Sequence, residues 1–244
     1  MNWWAVFKRE MVILRVKFSK PSYVVSSLFY PLIYLFAFGL GLGRLVQIEG
    51  GYGAFLCAGM AGISVMSNSF QQTSISVSVG RIYYKTFQSL MVSPVSPGQV
   101  AFGLIAAGIV RGVFSSLLIY SIGAFFFGGW QLSWYGAVGI FCGAVLFSAL
   151  GIAAGMWAEG NEGLSIIQNF LMTPMIFFSG SFFPIENLPW LLKGIMKNLP
   201  LGMINQLLQS KQFTGVLPLY MIGLLVYGVI FWWWGSRLIK NYEE

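Results

Sequence analysis

The chain contains no histidine and no aspartate. That removes histidine–aspartate nucleophile activation, most zinc sites and aspartate proton relays before any motif is sought. Charge is scarce too: acidic and basic residues make up 9% of 244 residues, against about 25% in an ordinary soluble domain. Only two cysteines occur, Cys57 and Cys142, both within apolar stretches. They read as packed free thiols rather than as a disulfide or a metal pair. Residues 1–20 hold five basic side chains, with no apolar core run and no small-residue cleavage site, and are therefore not expected to be a signal peptide. No internal repeat or low-complexity linker is visible.

What is abundant is apolar surface. Hydrophobic residues make up 57% of the chain and aromatics 17%, and the mean hydropathy is +0.75. Water cannot be the main solvent for such a chain, so the expectation is an all-α membrane protein, one transmembrane domain over residues 1–244. Six transmembrane helices are expected, at about 22–46, 53–79, 98–128, 133–157, 163–180 and 216–236. Each approaches or exceeds the ~20 residues that cross ~30 Å of hydrocarbon. With the N-terminus inside, the inner segments hold nine basic residues (five before Lys20 inclusive, Arg81, Lys85, Arg237, Lys240), and the outer ones hold four (Arg44, Lys193, Lys197, Lys211). That bias places both termini in the cytoplasm. The net charge of +7 thus reports topology and not nucleic-acid binding. Gly-x-x-x-Gly pairs at Gly39/Gly43, Gly108/Gly112, Gly139/Gly143 and Gly151/Gly155 read as close helix packing.

Three stretches are patterned without being spans. In residues 1–20, Trp3, Phe7, Met11, Leu14 and Phe18 recur at helical spacing with Arg9 and Lys20 opposite. This predicts an amphipathic helix at the inner interface, an ordinary solvated helix being the alternative. "GRIYYKTFQSLMVSPVSPG" puts Tyr83, Phe87, Leu90 and Met91 on one face of a short helix and Arg81, Lys85 and Gln88 on another, ended by Pro94 and Pro97. Such a helix could lie on lipid or dock into a cytosolic partner. "FFSGSFFPIENLPWLLKGIMKNLP" breaks its apolar run at Gly180 and Pro184. It restarts at Pro189 as a helix over about 189–199, with Leu192, Ile195, Met196 and Leu199 on its apolar face. That helix is too short to cross. An outer re-entrant hairpin over 181–200 is the expectation, because irregular backbone at membrane depth must be buried in protein or line a wet cavity.

Six spans, the N-terminal helix, "KTFQSLMVSPVSP" and "FFSGSFFPIENLP" together resemble the permease subunit of second-class ABC exporters, the polysaccharide, nodulation-factor and drug export type. The resemblance implies a coupling helix over 81–92 that engages an ATPase, with Arg81, Tyr83, Lys85, Phe87, Leu90 and Met91 at the contact. It implies an outer gate with Phe182, Phe183, Pro184, Pro189 and Trp190. It also implies a dimer with a second permease copy, two copies of an ABC ATPase subunit, and residence in a prokaryotic inner membrane. The chain has no G-x-x-x-x-G-K-[ST] cradle. No cofactor is therefore expected on this chain, and ATP and Mg would be bound by the partner. An amphipathic or lipid-linked substrate (glycan, lipid or drug) is what the family suggests.

Polar residues within the spans are the remaining signal. Ser64, Asn68, Gln71 and Ser78 fall roughly on one face of the second span. Facing lipid would cost a few kcal/mol per group (about 2–7), so the face meets another helix or lines a substrate path, and the sequence leaves both open. Arg111 lies in the third span and needs a partner or water. Glu159 and Glu162 in the next inner loop are the nearest acids by topology, so a structural ion pair is expected there, a gating contact being the alternative. Trp130, Trp134, Tyr135 and Trp232–Trp234 read as interface anchors. Two rival functions are an ion-coupled transporter, which would want intramembrane acids, and a membrane-embedded enzyme, which would want a paired base and nucleophile.

Overall fold

The computed structural model describes residues 3–43, 46, 48, 50–87, 95–128, 130, 132–185, 189–210 and 215–241, and these contain no strand. The helices are α1 (Trp3–Phe18), α2 (Pro21–Leu42), α3 (Tyr52–Ile82), α4 (Pro97–Phe127) and α5 (Trp134–Trp157). After them come α6 (Asn161–Ile167), a π-turn (Gln168–Met172), α7 (Thr173–Phe177), α8 (Trp190–Asn198), α9 (Pro200–Gln209) and α10 (Leu217–Lys240). Starts are set by local chemistry. Pro21 and Pro97 occupy first-turn positions where no N–H is needed. The hydroxyls of Ser96 and Ser133 accept from Gln99 N and Gly136 N at 3.4 and 3.2 Å.

Among the described residues five helices are long and apolar enough to cross a membrane: α2, α3, α4, α5 and α10. The expected fifth span at 163–180 is not one of them. That stretch folds as the unbroken run α6–π-turn–α7, residues 161–177. Pro174 explains the irregularity. It has no N–H for the α ladder and its ring crowds the carbonyl one turn back. The ladder widens there, with Thr173 N–H reaching back to Gln168 O.

α3 is the axis of the fold. It packs against α4 on one side and α5 on the other, and side chains over most of its circumference are buried. The close approach depends on glycine. A methyl at Gly108 or Gly112 of α4 would run into Ser148 or Ser69, and one at Gly151 of α5 would run into Thr73. The Gly-x-x-x-Gly pairs of α4 and α5 therefore serve packing within the chain. α2 and α10 flank this core and turn apolar side chains such as Val25, Phe29, Leu219 and Ile222 outward.

α1 lies alongside the first half of α4. Trp3 meets Phe102 at 5.0 Å, Val6 covers Gly103, and Phe18 meets Phe114 at 5.5 Å. Its buried face is Val6, Glu10 and Leu14, not the whole of the predicted stripe, from which Trp3 remains exposed. The helix expected over 189–199 is present as α8, but the chain does not stop at Pro200. Pro200 is the first residue of α9, whose Leu201, Ile204, Leu207 and Leu208 are buried. Ile204 and Leu207 fill the spaces left by Gly143 and Gly139 of α5. The element after Pro184 is thus two helices meeting at Leu199, longer than the expected 181–200.

Candidate functional site

Polar side chains gather in three places. The first is a cleft of about 300 Å³ between α2, α3 and the 161–177 run. α2 contributes Ser26, Ser27 and Tyr30; α3 contributes Ser67, Asn68 and Gln71; the π-turn and α7 contribute Gln168, Asn169 and Thr173. Among the described residues no acid and no basic side chain lines it. Of the four residues expected on a polar path, the cleft includes Asn68 and Gln71. Ser64 and Ser78 do not reach it: both are fully buried, with hydroxyls that have no hydrogen-bond partner among the described residues.

The second is a buried relay at the junction of α1, α3 and α4. Arg111 is 4% exposed and donates to Gln72 Oε1 at 3.1 Å. Gln72 Nε2 in turn donates to Glu10 Oε2 at 3.2 Å. Glu10 is 1% exposed. Its other oxygen accepts from Arg9 at 2.7 Å and from Ser76 at 2.8 Å. The guanidinium of Arg111 also lies 5.5 Å from the centroid of the Tyr23 ring of α2. The expected ion pair with Glu159 or Glu162 does not form. Both carboxylates are exposed, and the ion pair found among the described residues is Arg9–Glu10. The physical reason is the position of α1: it brings an acid to Arg111 through Gln72, whereas Glu159 and Glu162 stay exposed where α5 gives way to α6.

The third is the turn after α7. Gly180 has φ +72°, a conformation open to glycine without strain. Asn205 of α9 donates to Ser179 O at 3.1 Å and to Ser181 Oγ at 2.7 Å, and Gln209 donates to Gly180 O at 3.1 Å. Tyr52 donates its hydroxyl to Phe182 O at 3.2 Å. Phe182 is buried against Tyr34, Phe38 and Phe177, with ring centroids 4.8–5.7 Å away. The five outer-gate candidates therefore separate. Phe182 is core, Pro184 is half-buried, and Phe183, Pro189 and Trp190 are exposed.

The expected helix 81–92 changes at its start. Arg81 and Ile82 belong to the last turn of α3, and the chain turns at Tyr83–Lys85, with Lys85 at φ +50°. Arg81 is tied into the fold: its guanidinium donates to the carbonyls of Met156 and Ala158 at the end of α5, where cationic donors satisfy the last carbonyls. Phe87 is also turned inward, packed with Val6, Val77 and Leu104. Tyr83 and Lys85 are exposed. Leu90 and Met91 lie outside the described residues.

Glu10, Gln72, Tyr23 and Asn205 were not singled out from sequence. Asn205 had a signal: Leu201, Ile204, Asn205 and Leu208 recur at helical spacing after Pro200. Glu10 is the lone acid among five bases in residues 1–20, at i+4 from Val6 and i−4 from Leu14.

The family described as ABC-2 type transporter matches residues 1–213. Nodulation protein J of Neorhizobium galegae is 30% identical over 212 residues, 83% of this chain and 78% of that protein. Nodulation protein J of Rhizobium meliloti (strain 1021) is 30% identical over 211 residues, with 82% and 77% covered. Inner membrane transport permease YadH of Escherichia coli (strain K12) is 28% identical over 166 residues, 67% of this chain and 64% of that protein.

Proposed function

Because the chain belongs to the ABC-2 type transporter family, we propose that it is the path-forming subunit of an ATP-driven exporter in a prokaryotic inner membrane. It is a transport permease and not an enzyme, and ATP hydrolysis belongs to a separate ATPase subunit. Two permease copies form the path and two ATPase copies, holding ATP and Mg, drive it. The observation that carries this reading is the uncharged hydrogen-bonding cleft beside Asn68 and Gln71 in a chain otherwise surfaced for lipid. Residues 161–177, with the turn that follows, cross as the fifth of six spans; an even number of crossings puts both termini on one side, and the excess of basic residues makes that side the cytoplasm.

Helix lengths support a position in the bilayer. α2 has 22 residues, ~33 Å at 1.5 Å each and close to one hydrocarbon thickness. Its start at Pro21 then marks the inner boundary, and Arg111, stacked on Tyr23, lies there rather than at the bilayer centre. α3 and α4 have 31 residues each, ~46 Å, and the surplus projects inward beside α1. The exposed turn Tyr83–Lys85 at the inner end of α3 is the ATPase-coupling contact. At the other end the Ser179–Phe182 turn, α8 and α9 form the outer closure.

A cleft lined by hydroxyls and amides suits a substrate with neutral hydrogen-bonding groups and an apolar tail, a lipid-linked glycan or a similar amphiphile. Replacing Asn68 and Gln71 together by Leu is expected to slow transport about tenfold, the equivalent of one to two lost hydrogen bonds, while leaving the melting temperature of the purified protein nearly unchanged. Tyr83→Ala with Lys85→Glu is expected to reduce co-purification of the ATPase at least several-fold. The deciding experiment is nucleotide-dependent transport in vesicles holding the chain and its ATPase. Uphill flux by the chain alone would instead favour an ion-coupled carrier.

A further inference from the structure

The junction of α1, α2 and α4 carries more positive charge than the described residues balance. Lys17 Nζ and Arg111 Cζ lie 5.9 and 5.5 Å from the centroid of one Tyr23 ring. Neither makes an ion pair, since Glu10 is engaged by Arg9, Gln72 and Ser76. Arg111 Nε is buried without a hydrogen-bond partner. Lys17 is half-buried, and its ammonium pKa is held below the ordinary value by burial first and then by Arg111, against an opposing pull from Glu10. Arg15 and Lys20 are exposed nearby on the same stretch.

Beside these cations lies an apolar crevice of about 400 Å³ lined by Leu14, Phe18, Val24, Val110 and Phe114. Phe18 joins the two features, because its ring meets Tyr23 at 6.0 Å and Phe114 at 5.5 Å. A cationic cluster that Glu10 does not neutralise, next to an apolar slot, is complementary to one amphiphile. We propose that this junction binds an anionic glycerophospholipid, its phosphate held at Lys17 with Lys20 one turn on, one acyl chain in the crevice. A zwitterionic lipid brings its own cation to a site already positive, and a soluble phosphate leaves the crevice empty. The orientation proposed above enters only in naming the leaflet as the inner one.

Native mass spectrometry of the delipidated protein tests this directly. Phosphatidylglycerol and phosphatidylcholine of the same chain length are added in equal amounts, with glycerol 3-phosphate as a tail-free competitor. Phosphatidylglycerol should be retained about fivefold or more over phosphatidylcholine, the factor corresponding to ~1 kcal/mol per basic residue at an anionic headgroup. Glycerol 3-phosphate should not displace it. Lys17→Gln should lower the preference about fivefold, and Val110→Trp, which fills the crevice from an exposed position, should reduce retention of both lipids. Equal retention of the two lipids by the unmodified protein overturns the proposal, and this comparison needs no variant to fold. So does an undiminished preference in Lys17→Gln, full retention in Val110→Trp, or displacement by glycerol 3-phosphate.

Discussion

Gln72→Leu should cost the protein about 3–5 kcal/mol, the range for stranding one member of a buried charged network. Leucine nearly matches glutamine in volume, so the loss is electrostatic and not a cavity. Gln72 is the one side chain that touches both charges: it accepts from Arg111 and donates to Glu10. Without it a guanidinium at 4% exposure loses its hydrogen bond, and a carboxylate at 1% exposure loses one of three donors. The expected readout is a large drop in melting temperature in detergent, together with faster proteolysis before Pro21 as α1 comes away from α4. Arg111→Ala should be milder, because it removes the charge rather than stranding it and leaves only an amide oxygen unpaired. A swap separates charge pairing from shape. Glu10→Gln combined with Gln72→Glu keeps one carboxylate in the relay and puts it directly against Arg111. The double variant should therefore be more stable than Gln72→Glu alone, in which two carboxylates face each other. Additive losses in that cycle would show that the relay is not a coupled unit.

The relay also marks where sequence reading reached its limit. α2, α3, α4, α5 and α10 were legible to within a few residues, except that α2 ends at Leu42, because a long apolar run has few alternatives once water is excluded as solvent. The partner of Arg111 was not legible. Counting along the chain points to the next inner loop, yet contact is set by where α1 docks, which depends on Val6 finding Gly103 nearly a hundred residues later. Arg81 was misplaced for a related reason. The polar end of a 31-residue helix looks like a separate element when only ~20 residues are needed to cross. Pro200 is ambiguous in principle, since a proline that stops one helix equally opens the next. Pro174 left the 161–177 run in place but exchanged a turn of α-helix for a π-turn, and apolar periodicity does not register one widened turn. The polar face of α3 was read as a unit, but packing divided it. Asn68 and Gln71 face the cleft while Ser64 and Ser78 are enclosed between helices.

Gly59→Val should open the Ser179–Phe182 turn. A side chain at Gly59 would collide with the backbone oxygen of Ser181, which cannot rotate aside as a side chain could. Gly59 is seven residues into α3 from Tyr52, ~10 Å along the axis, so the Ser179–Phe182 turn lies below the rim of the bundle and can relieve the clash only by lifting outward. Lifting breaks the hydrogen bonds from Asn205 to Ser181, from Gln209 to Gly180 and from Tyr52 to Phe182. Those bonds, at ~1 kcal/mol each, are what hold the turn closed, and overpacking of ~1–3 kcal/mol offsets much of that hold by raising the closed turn alone. Access from outside measures this. In a background with Cys57 and Cys142 replaced by Ala, a cysteine placed by Ser181→Cys is fully enclosed, as Ser181 is, and should react slowly with an impermeant thiol reagent. Adding Gly59→Val should accelerate labelling by about 5- to 150-fold, and Gly59→Ala by less, because a single methyl needs a smaller lift. The same reasoning ties the turn to transport. If the turn is the outer closure, vesicles carrying Gly59→Val should leak small solutes without nucleotide; a lifted turn with intact vesicles would place the closure elsewhere in the fold.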